Sequence, residues 1–154
     1  MKPIHLNPNL LSFQNDLIIK DINGKQCVFD PIRKKYIILQ PEEIVRQLLL
    51  HYLIQIKKYP ASRINIEKQL TVLNSKRRFD MIIYDKSAHP TLLIECKAPK
   101  LKLSQKVFDQ ISKYNLAIKA DYLLVTNGMD TFCCKMDYNR QSYQFIQKIP
   151  EYFT

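Results

Sequence analysis

The sequence predicts an α/β domain, two helices packed on a mixed sheet. Three observations predict it. Two stretches carry apolar residues at three-to-four spacing and alternate with short apolar, β-branched runs. One of those runs, Tyr122-Leu123-Leu124-Val125-Thr126, is nearly all apolar, as in a strand buried on both faces of a sheet. The chain has 154 residues, 46% hydrophobic and 25% charged, which suits one globular domain that needs no staple to fold.

The elements follow in order. Leu17-Ile18-Ile19 and Gln26-Cys27-Val28-Phe29 flank Asn23-Gly24, a two-residue hairpin signal because both residues tolerate positive φ. Tyr36-Ile37-Ile38-Leu39 is a third short strand after Pro31. Pro41-Glu42-Glu43 opens a helix, with proline at the first helical position and acids at the positive end of its dipole. Its stripe of Ile44, Val45, Leu48, Leu49, Tyr52, Leu53 and Ile56 runs to about Lys58, and Pro60 closes it. Strands are expected over Ile64–Val72, Phe79–Tyr84 and Thr91–Lys97, the last two joined by a turn around Ser87, His89 and Pro90. Ser104 caps a second helix, stapled by Leu103 and Phe108. Val107, Ile111, Tyr114 and Ile118 form its buried stripe. The strand Tyr122–Thr126 turns at Asn127-Gly128 into another over Thr131–Met136. The tail from Tyr143 to Phe153 reads equally as a short helix or a strand. The whole, residues 1–154, is expected to be a single domain: a β-rich lead-in over 1–40, a core over 41–136 and a tail over 137–154.

Charge narrows the partners. Lys+Arg number 24 against 14 Asp+Glu, a formal net charge of +10, and the pI is near 9.5. Such a surplus favours polyanions. It is clustered at Arg33-Lys34-Lys35, Lys57-Lys58, Lys76-Arg77-Arg78, and Lys97, Lys100, Lys102 and Lys106. No apolar run reaches the length of a membrane span, and no basic amphipathic helix with an aromatic face points to a membrane surface. MKPIHLNPNLL lacks the apolar run and cleavage site of a signal peptide. Cys27, Cys96, Cys133 and Cys134 form no CxxC pair and no zinc spacing, so four reduced, buried thiols are expected in a cytoplasmic protein.

The chemistry concentrates in residues 77–100. Glu95 and Lys97 are two apart on a strand and share a face, with Leu92, Ile94 and Cys96 on the other. If the strands pair through the 85–91 turn, Asp80 comes beside Glu95. Adjacent carboxylates repel, and a hard dication such as Mg²⁺ removes that conflict.

This segment resembles the active-site hairpin of the PD-(D/E)XK nuclease superfamily. More closely, residues from about Pro41 to Gly128 are similar to the amino-terminal nuclease domain of type I restriction enzyme R subunits and its short stand-alone relatives. Pro41-Glu42-Glu43-Ile44-Val45-Arg46-Gln47 resembles the family's opening helix. Phe79-Asp80 stands where the family has Pro-Asp, and Glu95-Cys96-Lys97 matches Glu-x-Lys. Gln110-Ile111-Ser112-Lys113-Tyr114 matches the Gln-xxx-Tyr signature of a subset, and Thr126-Asn127-Gly128 resembles the end of the next core strand. The phenylalanine is a departure without consequence, since the family's proline supplies backbone shape and no ligand.

The resemblance implies a restriction-endonuclease-like core (helix, three strands, helix, strand) with a β-rich N-terminal extension. It implies a metal-dependent DNA endonuclease using Mg²⁺ or Mn²⁺, held by Asp80, Glu95 and the backbone carbonyl of Cys96, with Glu43 completing the set. Lys97 would steer or deprotonate the attacking water, Gln110 and Tyr114 would position a phosphate or Lys97, and the products would carry a 5′-phosphate and a 3′-hydroxyl. DNA would lie on Lys76, Arg77, Arg78, Lys100, Lys102 and Lys106, and restriction-system subunits are possible partners. Nothing resembles a phosphate-binding GxxxxGK[ST] loop, so no ATP site is expected. The alternative is a non-cleaving nucleic-acid-binding module or subunit that keeps the fold. A third reading, a protein-interaction domain, would leave Asp80 and Glu95 without metal. His5, His51 and His89 sit in no nucleophile-like motif. Glu67 reads as a plain strand position or a supporting acid, and Arg46 as an ion-pair partner or a DNA contact.

Overall fold

The computed structural model describes residues 2–152. The lead-in begins with a 3-10 segment, Leu10–Asp16. Strands β1 (Ile19–Ile22), β2 (Lys25–Asp30) and β3 (Lys35–Ile38) then form an antiparallel sheet of their own. Asn23 and Gly24 take φ of 53° and 80° at the β1–β2 turn, the pairing of positive values that a tight hairpin requires. The first strand starts at Ile19 rather than Leu17, because Leu17 is spent ending the 3-10 segment.

Helix α1 (Pro41–Gln55) begins with proline in its first turn, as expected, and ends three residues before Lys58. Lys58 turns left-handed (φ 62°) and the Tyr59 N–H returns to the Leu53 carbonyl at 3.1 Å, a Schellman-type closure. Every residue from Val45 to Leu50 is buried, Arg46 and Gln47 included.

The main sheet has six strands in sequence order: β4 (Ile64–Val72), β5 (Ser75–Tyr84), β6 (Pro90–Cys96), β7 (Tyr122–Thr126), β8 (Thr131–Asp137) and β9 (Ser142–Phe145). Only β6 and β7 run parallel. Helix α2 (Gln105–Ile118) makes that crossover. Ser104 occupies its N-cap position, but the hydroxyl makes no capping bond; the Ser104 carbonyl accepts from Val107 and Phe108 instead. The undecided tail resolves as strand β9 followed by irregular chain, and residue 153 lies outside the described residues.

The sheet is covered on both faces. Leu48, Leu49, Leu53 and the 3-10 residues Leu10 and Phe13 pack with Met81, Ile83, Leu92, Ile94 and Leu124. Phe108 and Ile111 of α2 pack on the other face with Ile82, Leu93, Leu123 and Val125. Alternation along β6 thus puts Leu92, Ile94 and Cys96 toward α1, the period-two pattern read from the sequence. All four cysteines are buried and unbridged. No helix among the described residues is long and apolar enough to cross a membrane.

One irregularity matters for the site. Phe79 packs in the α2-side cluster, whereas Met81, two residues on, packs in the α1-side cluster. The alternation of β5 therefore breaks at Asp80. Directly across, between the pairs Ile66↔Met81 and Lys68↔Phe79, Glu67 has a left-handed backbone (φ 52°). A non-glycine residue held there inside a strand costs of order 1–3 kcal/mol and twists the ladder.

Candidate active site

Strands β5 and β6 pair Met81 with Ile94, and continuing that register sets Asp80 opposite Glu95. Asp80 is buried and Glu95 half-buried. Asp80 Oδ2 accepts the Cys96 N–H at 2.7 Å, so the carboxylate is pinned to the end of β6. The same residue's thiol lies in the core. Lys97 follows, its N–H bonded to the Thr126 carbonyl of β7 at 2.8 Å. Burial first, then the Asp80 charge and a hydrogen-bond contact with it, drive the Glu95 carboxyl well above the usual carboxylate range; Lys97 pulls the other way. Asp80, Glu95 and Lys97 thus act on one another at one end of the sheet.

Helix α1 supplies two glutamates with different roles. Burial raises the Glu43 carboxyl against the pull of Arg46 and Arg33, and each arginine takes one of its oxygens. Glu42 is the one that senses the site. Burial and the Asp80 charge push its carboxyl up, while Lys97 and Arg46 pull it down. Glu43, expected to complete the acid set, is instead enclosed by guanidinium groups.

Those arginines bind the site into a network. Arg46 Nη2 lies 2.5 Å from Asp80 Oδ1 and 3.9 Å from Glu42. Asp80 and Glu43 hold the Arg46 guanidinium firmly charged despite its burial. Arg33 comes from the β2–β3 turn and meets Asp30 at 2.7 Å and Glu67 at 3.1 Å. Asp30 is fully buried; its own burial would raise its carboxyl, but bonds from Arg33 and Gln47 hold it below the usual value. Gln47 Nε2 donates to Asp30 at 2.9 Å. Two buried atoms lack a partner among the described residues, Arg46 Nε and Gln47 Oε1. Sequence reasoning missed Arg33, Asp30, Gln47 and Glu42. The one signal was a polar pair, Arg46-Gln47, inside an otherwise apolar helical run.

The remaining candidates lie on α2, on the β4–β5 hairpin and on the chain between β6 and α2. Gln110 is exposed and Tyr114 half-buried on α2. With Arg77, Lys106 and Lys113 they line a groove of about 580 Å³ beside the β4–β5 turn. The Arg77 guanidinium sits over the Tyr114 ring at 4.5 Å. Lys76, Arg78, Lys100, Lys102 and Lys106 are exposed. The histidines make local contacts: His5 to Asp130 at 2.9 Å, His89 to Asp121 at 3.2 Å, and His51 to Gln55 at 3.4 Å.

No group of three or more His, Cys, Asp and Glu side chains among the described residues is already gathered to hold a metal. The donor chemistry still suits a hard dication. Glu42, Asp80 and Glu95 bring carboxylate oxygens within one another's electrostatic reach at this end of the sheet. Oxygen donors in that setting match Mg²⁺ or Mn²⁺.

Comparisons with known proteins bear on the fold and the family. No curated protein matches the chain. A solved fragment assigned as an HsdR subunit of a type I restriction enzyme from Vibrio vulnificus YJ016 superposes with a TM-score of 0.53 at 15% identity. The match covers 73% of this chain and 24% of that one, so this chain spans about a quarter of its length. It establishes the restriction-endonuclease-like fold: helix, three strands, helix, strand on a mixed sheet. The family described as type I restriction enzyme R protein N terminus matches residues 41–150, more than half of the chain. The chain belongs to the family of type I restriction enzyme R protein N-terminal domains.

Proposed function

We propose that the chain is a PD-(D/E)XK-type, metal-dependent deoxyribonuclease. The observation that carries this reading is the Asp80–Glu95 pair, set opposite each other by the β5–β6 register, where burial and then the Asp80 charge raise the Glu95 carboxyl, with Lys97 two residues further along the chain. Asp80, Glu95 and the Cys96 carbonyl would hold Mg²⁺ or Mn²⁺, with Glu42, in place of Glu43, as the α1 carboxylate nearest in charge. A metal held there would supply Lewis-acid polarisation of a phosphate and a more acidic water. Lys97 supplies a cation for charge growing on the phosphate oxygens and a site for the water's proton. Arg46 pairs with one oxygen of Asp80 and aims it, and the Cys96 N–H fixes its other oxygen. The exposed cations Lys76, Arg78, Lys100, Lys102 and Lys106 supply phosphate contacts, and other restriction-system subunits are candidate partners.

One observation favours the non-cleaving alternative: Arg46 already pairs with Asp80 at 2.5 Å, so this buried acid has a counter-ion without metal. Wild type incubated with plasmid, linear and single-stranded DNA in Mg²⁺ and Mn²⁺, with calorimetry for metal affinity, separates the readings. Cleavage is expected, lowered roughly 10²–10⁴-fold by Lys97→Ala, the range for a positioned proton-transfer group. Lys97→Ala should still bind the ion, and Asp80→Ala should not. Metal binding without cleavage of any substrate favours the alternative; no metal binding with DNA present removes the nuclease reading.

A further inference from the structure

The β4–β5 hairpin outruns the sheet. β6 pairs with β5 only from Met81 to Tyr84, while β4 and β5 remain paired from Lys68↔Phe79 out to Val72↔Ser75. The outer part is a two-stranded ribbon with two unlike sides. Leu70, Val72 and Phe79 pack in the α2-side cluster, and Arg77 stacks on Tyr114 from that same side. The opposite side shows the cross-strand pairs Gln69↔Arg78 and Thr71↔Lys76, all four exposed. No carboxylate occurs from Lys68 to Phe79. At the tip, Leu73 and Asn74 both take positive φ, 51° and 63°, and the Leu73 side chain is 58% exposed. Glycine or asparagine is the ordinary residue for such a turn. A leucine there carries backbone strain and an apolar side chain in water with no packing return.

We propose that this ribbon is an arm that enters the major groove of duplex DNA, its Gln69–Thr71–Lys76–Arg78 side against the DNA and Leu73 leading, braced from behind by Arg77 on Tyr114. The partner's identity rests on the nuclease reading; the surface is set by the ribbon itself. The major groove of B-form DNA admits a two-stranded ribbon, whereas the deep, narrow major groove of A-form RNA does not. Arg78 lies two residues from Asp80 on the same strand, so a duplex held there is delivered to the carboxylates. The arrangement divides the basic cluster: Lys76 and Arg78 are free to meet phosphates or base edges, and Arg77 is a positioning residue. It also gives Tyr114 a role as the ribbon's support.

The test is fluorescence anisotropy of the whole chain with a short duplex, in EDTA, across a salt series. Lys76→Ala and Arg78→Ala should each shrink the slope of log K against log salt by about 0.9. Lys148→Ala, an exposed cation outside the ribbon, should leave it unchanged. Arg77→Ala, Tyr114→Ala and their double variant should weaken binding by about the same factor. Leu73→Gly should raise the melting temperature while weakening duplex binding several-fold, a combination that a purely structural leucine does not give. Slopes indifferent to Lys76 and Arg78, equal slope loss from Lys148→Ala, or double-stranded RNA bound as tightly as DNA would overturn the proposal. Because no metal is present, a chain that binds through the ribbon yet never cuts refutes the nuclease reading alone. A chain that cuts while its salt slope ignores the ribbon refutes this inference alone.

Discussion

Arg46→Met is the most informative single change in the ion network. Methionine keeps much of the side chain's length and apolar stem while deleting the guanidinium. It strips Asp80 Oδ1 of its partner at 2.5 Å and leaves Glu43 with Arg33 alone. Arg46 is only 6% exposed, so water cannot replace the lost charge. Removing one partner of a buried pair costs about 3–5 kcal/mol. Two features move the expectation to the lower end, about 3 kcal/mol. The Cys96 N–H and Arg33 still serve the two carboxylates, and the change also removes the unpartnered Arg46 Nε. The pH dependence has a definite sign. Glu43 is already raised by burial; without Arg46 its folded-state value rises further while its unfolded value stays put. The variant therefore gains stability by taking up a proton as pH falls. Its deficit against wild type should be full at about pH 7.5 and smaller at about pH 5. Urea unfolding at both pH values, in EDTA, measures this. A loss under about 0.5 kcal/mol, within the range of ordinary surface changes, or a deficit that grows as pH falls, would refute the reasoning.

Three further outcomes follow from the same geometry. Glu95→Gln in EDTA should stabilise the protein increasingly as pH rises above about 4.3, its unfolded value. Its raised folded-state carboxyl makes ionisation costly at neutral pH, and thermal melts at several pH values check the trend. Gly128→Ala should destabilise by about 1–3 kcal/mol, because Gly128 has φ 89° and a Cβ would meet Val45 Cγ2 at 3.2 Å. Urea midpoints measure that loss, and a neutral result would mean that the 127–130 turn relaxes freely. Under the nuclease reading, Glu42→Gln should weaken Mn²⁺ binding more than Glu43→Gln does, measured by calorimetry, since only Glu42 senses Asp80 and Lys97.

Local rules carried the sequence reading a long way. Asn23-Gly24 declared its hairpin, and period-two alternation along β6 put Leu92, Ile94 and Cys96 on one side, the side that packs toward α1. The 85–91 turn was enough to set Asp80 against Glu95. Three features resisted for physical reasons. The outer half of β5, Ser75 to Arg78, is polar throughout and basic from Lys76 to Arg78, so it resembles a loop until it is paired with β4. The turn that joins them uses Leu73 and Asn74 at positive φ, and the propensity of leucine points elsewhere. The third is the pairing of Glu43, which depends on which way α1 is rotated. That rotation is settled partly by Arg33, which arrives from a separate sheet and claims Glu43. No pattern within 41–47 contains that information.

The family match opens at Pro41, yet α1 leans on residues that precede it. Asp30 accepts from Gln47, and Arg33 shares Glu43 and Glu67 with Arg46. A chain cut at Pro41 would retain every residue of the recognisable motif. It would lose the acceptor of a fully buried amide and half the counter-charge of a buried glutamate. Inheritance and cooperativity draw different borders here. The border that similarity marks begins at Pro41, while the buried ion network reaches back to Asp30 on β2 and to Arg33 just after it, so folding draws its border earlier in the chain than likeness does.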